Sequence, residues 1–190
     1  MNANDKNDAK IVYTDDGKDG VSLLVRSRLP WLVVGLLGGL LASFFISRFE
    51  NVLSQNISLA FFLPLIVYMS DAVGTQTETI FVRNLSRGSL RFSVYLLKEF
   101  FVGILLGIVF GAATGLISYL WIQSQEIALT VGFAMFANVA IAPIVALVVP
   151  EILFKERTDP ALGGGPFTTI IQDVLSILIY FTVASFLLFR

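Results

Sequence analysis

Asp173 is the residue that packing explains least well, because it is an acid inside the last long apolar run of the chain. A carboxylate within a bilayer costs about 2.5–3.5 kcal/mol on insertion scales, so such a residue is expected to be functional. Thr169 lies four residues before Asp173 and Ser176 three residues after it, so a helix places all three on one face. Gln172 lies beside that face. A polar face of this kind predicts a water-filled path or a partner helix rather than contact with lipid.

A second group of polar residues lies in an earlier apolar run and contains two more acids. Asp71, Thr75 and Glu78 are spaced four and three residues apart, so they also share one helix face. Gln76 lies beside them, and Asn138 is a polar residue within a later apolar run. The spans are expected to offer these acids no basic partner. The acids either are protonated and form hydrogen bonds or bind a cation, and the rule for charges within membranes favours the cation.

The ligands available for such a cation are oxygen atoms, because the chain has no cysteine and no histidine. Carboxylates, hydroxyls, amides and carbonyls favour Mg²⁺, Ca²⁺, Mn²⁺ or Na⁺ over softer metals. Mg²⁺ is usually held through its own water by one or two carboxylates, so Asp173 alone is a sparse site. Two copies of the chain would present two facing aspartates, which predicts a homodimer with a shared pore. The ion is then a transported substrate, and no cofactor is expected.

The composition places these residues in a membrane. Of the 190 residues, 56% are hydrophobic and 14% are charged, whereas average chains carry about 25% charged residues. Charges concentrate at the start, where residues 1–20 hold three lysines and five aspartates. A net charge of −1 gives no reason to expect a nucleic-acid partner. The pattern predicts an all-α membrane protein that crosses the bilayer several times.

The chain divides into a short tail and a membrane domain. Residues 1–28 are polar and are predicted to form a disordered cytoplasmic tail, followed by the membrane domain over residues 29–190. The first apolar run begins too far into the chain for a signal peptide. Five helices are predicted to span the membrane, over residues 29–46, 57–82, 94–121, 127–153 and 166–188. In the third span a glycine recurs every four residues from Gly103 to Gly115, which predicts close packing against another helix.

The distribution of lysine and arginine predicts the orientation of these spans. With the N-terminus in the cytoplasm, eleven of the thirteen basic residues fall on the cytoplasmic side, and only Arg48 and Arg190 fall outside. The sequence therefore predicts an N-terminus inside, a C-terminus outside and a location in the cell membrane.

The same topology gives the depth of each acid. At ~1.5 Å per residue, Asp173 and Glu78 are predicted to lie roughly 10 and 8 Å from the cytoplasmic ends of their helices. Asp71 is predicted to lie deeper, at roughly 18 Å. Glu78 and Asp173 are therefore expected to share a layer, with Asp71 apart from both.

Two stretches of the chain carry a resemblance to a known family. Residues 64–88, PLIVYMSDAVGTQTETIFVRNLSRG, are similar to a family stretch built around GN-x-G-[ST]-Q followed by T-x-x-VRG. Residues 159–181, DPALGGGPFTTIIQDVLSILIYF, are similar to the pattern DPA-x-x-SGP-x-x-TT-x-x-D-x-x-x-x-x-IYF. Asn138 and the sequence VVPEIL also fit. From residue 29 to residue 190 the chain resembles the transmembrane domain of MgtE-type magnesium transporters.

The resemblance implies a homodimer of five-helix chains, with a pore lined by the second and fifth spans. It also implies that Asp173 is the pore aspartate that binds hydrated Mg²⁺. Two positions depart from the pattern: the Gly-Asn pair of the family is replaced by Asp71 and Ala72, and Glu78 stands where a small or apolar residue is usual. The extra carboxylates predict a change in ion selectivity, or coupling to Na⁺ or H⁺. Family members carry large cytosolic domains before the first span, whereas about 28 residues precede it here, so their magnesium-sensing gate is expected to be absent.

Four functions are compatible with these residues, in order of preference. The first is transport of divalent cations, above all Mg²⁺, through a dimeric pore. The second is exchange of a divalent cation against Na⁺ or H⁺ through Asp71 and Glu78. The third is an aspartic protease built on Asp71 and Asp173, which the predicted depths and the lack of a GxGD-type motif oppose, so no enzyme is expected. The fourth is a structural subunit without transport, which the polar face around Asp173 opposes.

Overall fold

The computed structural model describes residues 20–85, 91–156 and 160–188. In this part of the chain six helices follow one another. They are α1 (Val21–Arg48), α2 (Glu50–Gln55), α3 (Ser58–Leu85), α4 (Phe92–Ile122), α5 (Gln125–Lys155) and α6 (Pro160–Leu188). All except the short α2 are long and apolar enough to cross a membrane. Over these residues the prediction of an all-α protein with five helices able to span a membrane is confirmed.

Two helices, α1 and α6, begin at least six residues earlier than the sequence predicted. α1 starts at Val21, so part of the predicted tail is helical, while residues 1–19 lie outside the described structure. α6 starts at Pro160 rather than at Pro166. Proline is well tolerated in the first helical turn, where its missing N–H has no partner to lose. The glycines between the two prolines continue the helix despite their low helix propensity, and Gly164 leaves room there for the Glu78 carboxylate of α3.

α4 and α5 form a tight antiparallel pair. Gln123 ends α4 with a left-handed backbone conformation (φ 57°), and Ser124 caps α5 by accepting the Ile127 N–H at 3.3 Å. The two helices meet along a ridge of glycines, at each of which an added Cβ would lie 2.7–3.2 Å from a carbonyl oxygen of α5. The ridge consists of Gly103, Gly107, Gly111 and Gly115, which face Ala140, Phe136, Gly132 and Ala128. The predicted close packing of the third span is confirmed.

Gly107→Ala is expected to destabilise the protein, because the new methyl group would lie 2.8 Å from the Phe136 carbonyl oxygen. Overpacking of this kind typically costs about 1–3 kcal/mol. Gly39→Ala is the matched control, since it adds the same methyl group to α1 at a position with no described neighbour within 4 Å. Thermal unfolding in detergent should give a lower midpoint for Gly107→Ala than for Gly39→Ala, and equal midpoints would contradict this packing.

α5 lies at the centre of the bundle, packed against α3, α4 and α6. The core consists mainly of apolar side chains from α3, α5 and α6, among them Leu59, Phe62, Ile66, Val73, Val131, Met135, Val139, Ile177, Tyr180 and Phe181. Tyr180 is fully buried on α6 and donates its hydroxyl to the Leu59 carbonyl of α3 at 2.6 Å. This core fixes α3 and α6 side by side, so that their polar residues meet farther along the same pair of helices.

α1 and α4 cover the outside of the bundle. α1 packs on α6, where Gly38 leaves room for the Ile170 side chain. The outward side of both helices is apolar: Leu36 on α1 and Leu120 on α4 are 65% and 68% exposed. An apolar surface of this extent is a liability in water, whereas lipid solvates it.

Candidate cation pathway between α3 and α6

α3 and α6 run antiparallel, so their polar residues meet in a fixed order. Glu78 of α3 lies beside Gly164 of α6, and Asp71 lies beside Thr169. We call the end of the bundle where α3 ends and α6 begins the basal end. From this end, the line between the two helices passes Glu78 first and reaches Asp71 next.

Asp71 and Asp173 lie at the same level of the bundle. Thr169 Oγ1 donates a hydrogen bond to Asp71 Oδ1 at 3.3 Å, and Thr169 is one helical turn from Asp173. The Asp71 carboxylate is also close enough to Asp173 for the two negative charges to repel each other. The side chains of both acids are half-buried. Two helices thus bring together two carboxylates and a hydroxyl, which are the ligands that hard cations prefer.

The predicted separation of Asp71 from Asp173 is wrong, because α6 begins at Pro160 and not six residues later. Asp173 lies thirteen residues from the basal start of α6, and Asp71 lies fourteen residues from the basal end of α3. At ~1.5 Å per residue these depths are roughly 20 and 21 Å. Glu78 lies seven residues farther along α3, roughly 10 Å nearer the basal end. Asp71, and not Glu78, therefore shares the layer of Asp173.

Polar side chains are exposed along this side of the chain. Thr75, Gln76 and Thr79 on α3 are exposed, and so is Thr169 on α6. A groove of about 420 Å³ runs between the two helices here, with Glu78 also in its lining. Hydroxyl and amide groups that face lipid lose their hydrogen bonds with water, which costs free energy. The groove side of α3 is therefore suited to water, an ion or another protein surface rather than to lipid.

Three of the predicted polar site residues are buried inside the chain, away from this groove. Gln172 inserts between α3 and α5, where its Nε2 donates to the carbonyl oxygens of Ser70 (3.3 Å) and Ala142 (3.4 Å). Asn138 donates to a carbonyl of its own helix at 2.8 Å. Ser176 is also buried. The structure thus gathers these residues where α3, α5 and α6 pack together, one layer behind the exposed polar side.

Glu99 is a membrane acid that the sequence analysis missed. It lies on α4 and accepts a hydrogen bond from Thr77 Oγ1 of α3 at 3.0 Å. Thr77 is a buried residue of α3 and is next in sequence to Gln76 and Glu78. Its hydrogen bond with Glu99 therefore holds this part of α3 against α4. Lys98 precedes Glu99 in α4, so the expectation of spans without basic residues was wrong. The signal for Glu99 was present in the sequence, as an acid inside the third predicted span.

Within the described parts of the chain, no three acidic residues lie close enough together to hold a metal ion. Asp71 and Asp173 form a pair at one level, and Glu78, about two helical turns nearer the basal end, is still close enough to Asp71 for their negative charges to repel each other. Mg²⁺ keeps several of its waters and needs only one or two carboxylates, so the pair matches part of what this ion requires.

Comparison with known proteins identifies the family. The family described as MgtE, divalent cation transporter, matches residues 63–183, which include all three acids of α3 and α6. The magnesium transporter MgtE of Bacillus subtilis (strain 168) is 34% identical over 161 residues, which cover 83% of this chain and 36% of that protein. The magnesium transporter MgtE of Enterococcus faecalis is 32% identical over 161 residues, with the same coverage of 83% and 36%.

A relative from Thermus thermophilus, also a magnesium transporter MgtE, is 31% identical over 182 residues. These cover 94% of this chain and 39% of that protein. The chain thus spans little more than a third of the length of the relatives it matches. The shared level of Asp71 and Asp173 removes the argument from depth against a protease, but the family is one of transporters. The resemblance found in the sequence is confirmed, and this multi-pass membrane protein belongs to the MgtE family of divalent cation transporters.

Proposed function

We propose that the chain carries divalent cations, above all Mg²⁺, across the cell membrane through a pore formed between two copies. The observation that carries the proposal is the exposed polar side of α3 and α6 with Asp71 and Asp173 at one level. Ionisable groups within a membrane usually face a water-filled cavity or one another. The relatives are named magnesium transporters, which supports Mg²⁺ as the substrate.

A second copy related by two-fold symmetry supplies what one chain lacks. The exposed polar sides of the two copies face each other, so each Asp173 meets its counterpart across the axis. Two carboxylates carry the charge that neutralises one divalent cation, and the ion keeps water between itself and the protein. Lipid is then excluded from Thr75, Gln76 and Thr79, whose polar groups bind the water of the ion instead.

The two aspartates have different roles in this arrangement. Asp173 faces the ion as its main ligand, through water. Asp71 adds negative charge at the same level and accepts the Thr169 hydroxyl, which holds α3 against α6 where the ion passes. A site that binds through water matches Mg²⁺, which gives up its hydration shell reluctantly.

We also propose that the basal end faces the cytoplasm and that the N-terminus lies on that side. Eleven of the thirteen basic residues fall on this side of the membrane when the helices are threaded through it in order. The membrane potential, negative inside, then favours cation uptake by ~2.3 kcal/mol per charge per 100 mV. A divalent cation therefore needs no second driving ion.

Purified protein in liposomes tests the proposal, with an indicator inside the vesicles that reports Mg²⁺. Uptake is expected from a Mg²⁺ gradient and a negative inside potential alone, and protein-free liposomes set the background. Absence of uptake under every gradient would contradict transport. The alternative of exchange through Asp71 and Glu78 is not favoured by any of the comparisons, and it requires uptake only when an opposing Na⁺ or pH gradient is imposed.

A further inference from the structure

The hydrogen bond between Thr77 and Glu99 joins α3 to α4 directly behind the groove. Thr77 Oγ1 donates to Glu99 Oε2 at 3.0 Å, and Thr77 is 5% exposed. Thr77 is next in sequence to Glu78, which lines the groove between α3 and α6. A polar contact with α4 therefore holds α3 at the level where α3 presents Glu78 to the groove.

This contact lies on the face of α3 that is turned away from the groove. An α-helix turns by about 100° per residue, so Thr75 and Thr79, each two residues from Thr77, lie roughly 160° from it around the helix. Both are exposed and line the groove, whereas Thr77 is buried. The direction of Thr77 thus sets the rotation of α3 about its own axis, and with it the direction in which the groove hydroxyls point.

A second contact on the buried face of α3 is apolar. Phe81 is fully buried one turn beyond Thr77, with its ring centre 5.9 Å from that of Phe92 and 5.4 Å from that of Tyr95, both on α4. Rings in contact fix how closely two helices approach, but they can slide over one another. A hydrogen bond has a preferred angle as well as a preferred distance. The bond from Thr77 is therefore the better determinant of the rotation of α3.

The Thr77 hydroxyl does not need an acid to be satisfied. A threonine within a helix can donate to a carbonyl of its own preceding turn, as Thr114 of α4 does to the Phe110 carbonyl at 2.6 Å. An acid within a membrane-spanning helix is costly, and an apolar side chain would serve packing alone at lower cost. Glu99 is half-buried beside α3. Its presence there indicates a role that packing does not provide.

We propose that Glu99 is a positioning residue for transport: through Thr77 it sets the rotation of α3 and so the direction in which Thr75, Glu78 and Thr79 face the groove. The role depends on a hydrogen-bond acceptor and not on charge, because the amide oxygen of a glutamine accepts the same bond. Glu99 thus differs from Asp173, whose charge binds the ion. This inference rests on the proposed function, because the groove is the path of the ion.

Mg²⁺ uptake into proteoliposomes tests this role when it is measured against Mg²⁺ concentration and normalised to folded protein. Glu99→Leu is expected to raise the KM for Mg²⁺ severalfold, because a rotated α3 directs fewer of its polar groups at the hydrated ion. Glu99→Gln keeps the hydrogen bond and is expected to restore the KM of the unaltered chain. Thr77→Val should raise the KM as Glu99→Leu does, and the double variant no further, since both substitutions break the same bond.

Thr114→Val is the matched control for Thr77→Val, because Thr114 is also buried but donates its hydroxyl within its own helix. It is expected to leave the KM unchanged. A role of Glu99 in folding alone would lower the maximum rate or the thermal midpoint of Glu99→Leu without changing its KM, and that result would overturn the proposal. A KM raised equally in Glu99→Gln and Glu99→Leu would also overturn it, because charge and not position would then matter.

A thiol in the groove tests the position of α3 without transport. Thr79→Cys gives the chain its only cysteine, and its rate of reaction with a charged, water-soluble thiol reagent in detergent reports how this position faces the groove. Adding Glu99→Leu is expected to change that rate severalfold, whereas adding Glu99→Gln should leave it unchanged. Equal rates in all three proteins would rule out the positioning role. Failure of the proposed function is a separate result, since it requires that the unaltered chain take up no Mg²⁺ under any gradient.

Discussion

Asp173→Asn is expected to reduce Mg²⁺ flux in proteoliposomes to that of protein-free vesicles. The substitution keeps the size of the side chain and removes its charge. A divalent cation inside a membrane depends on such charge, because the surroundings there replace little of its hydration energy. Asp71 remains at the same level on the other helix, but the pair then carries half of its negative charge.

Glu126→Gln is the control for this experiment. It removes an acid of the same charge from the exposed first turn of α5, at the end of the bundle opposite the basal end. Flux through Glu126→Gln should equal that of the unaltered chain. Normal flux through Asp173→Asn, with both variants folded and inserted to the same extent, would show that Asp173 does not bind the transported ion.

Gly74→Ala is expected to lower both stability and flux, because the amide group of Gln172 occupies the space that the new methyl group needs. Gln172 is 2% exposed, and its Nε2 donates to the carbonyl oxygens of Ser70 and Ala142. To make room, the amide must give up these hydrogen bonds, and a buried polar group without partners costs about 1–3 kcal/mol. Gly74 lies one turn from Asp71, so the collision also shifts α3 at the level of the paired acids.

Gly74 and Gln172 allow a second test, in which the effect of Gly74→Ala on stability is expected to change sign. Gln172→Ala removes the side chain that fills the space over Gly74 and leaves a cavity. In that background Gly74→Ala should stabilise the protein, because its methyl group fills part of the cavity instead of colliding. Thermal unfolding of the two single variants and the double variant measures this coupling. Destabilisation by Gly74→Ala of equal size in both backgrounds would contradict the contact.

The long helices were predictable because each carries an apolar run long enough to cross a bilayer, and nothing but lipid or a core accommodates such runs. The start of α6 was not predictable, since proline and glycine usually end helices, whereas here they lie within one that begins at Pro160. That error of six residues displaced Asp173 in the depth estimate and separated it from Asp71. A count of residues gives the depth of a side chain only when the end of its helix is known, and the sequence misplaced the start of α6.

Which polar residues face the groove was also beyond the sequence. Periodicity placed Thr75 and Gln172 beside their acids, but it does not say which neighbour each side of a helix meets. The structure exposes Thr75 on the groove side and buries Gln172 between α3 and α5. For Glu99 the sequence showed that an acid lies within a span. Its role follows only from the hydrogen bond with Thr77, which the sequence does not show.

Single cysteines test most directly whether cations pass along the exposed polar side of α3, because the chain has no cysteine of its own. Thr75→Cys places a thiol in the groove, and Gln125→Cys places one at the exposed start of α5 as the control. Mg²⁺ flux is measured in proteoliposomes before and after complete reaction with a positively charged, water-soluble thiol reagent. If cations pass along this side, the reagent blocks flux through Thr75→Cys and leaves flux through Gln125→Cys unchanged. Unchanged flux through fully modified Thr75→Cys would show that cations do not pass along this side of α3.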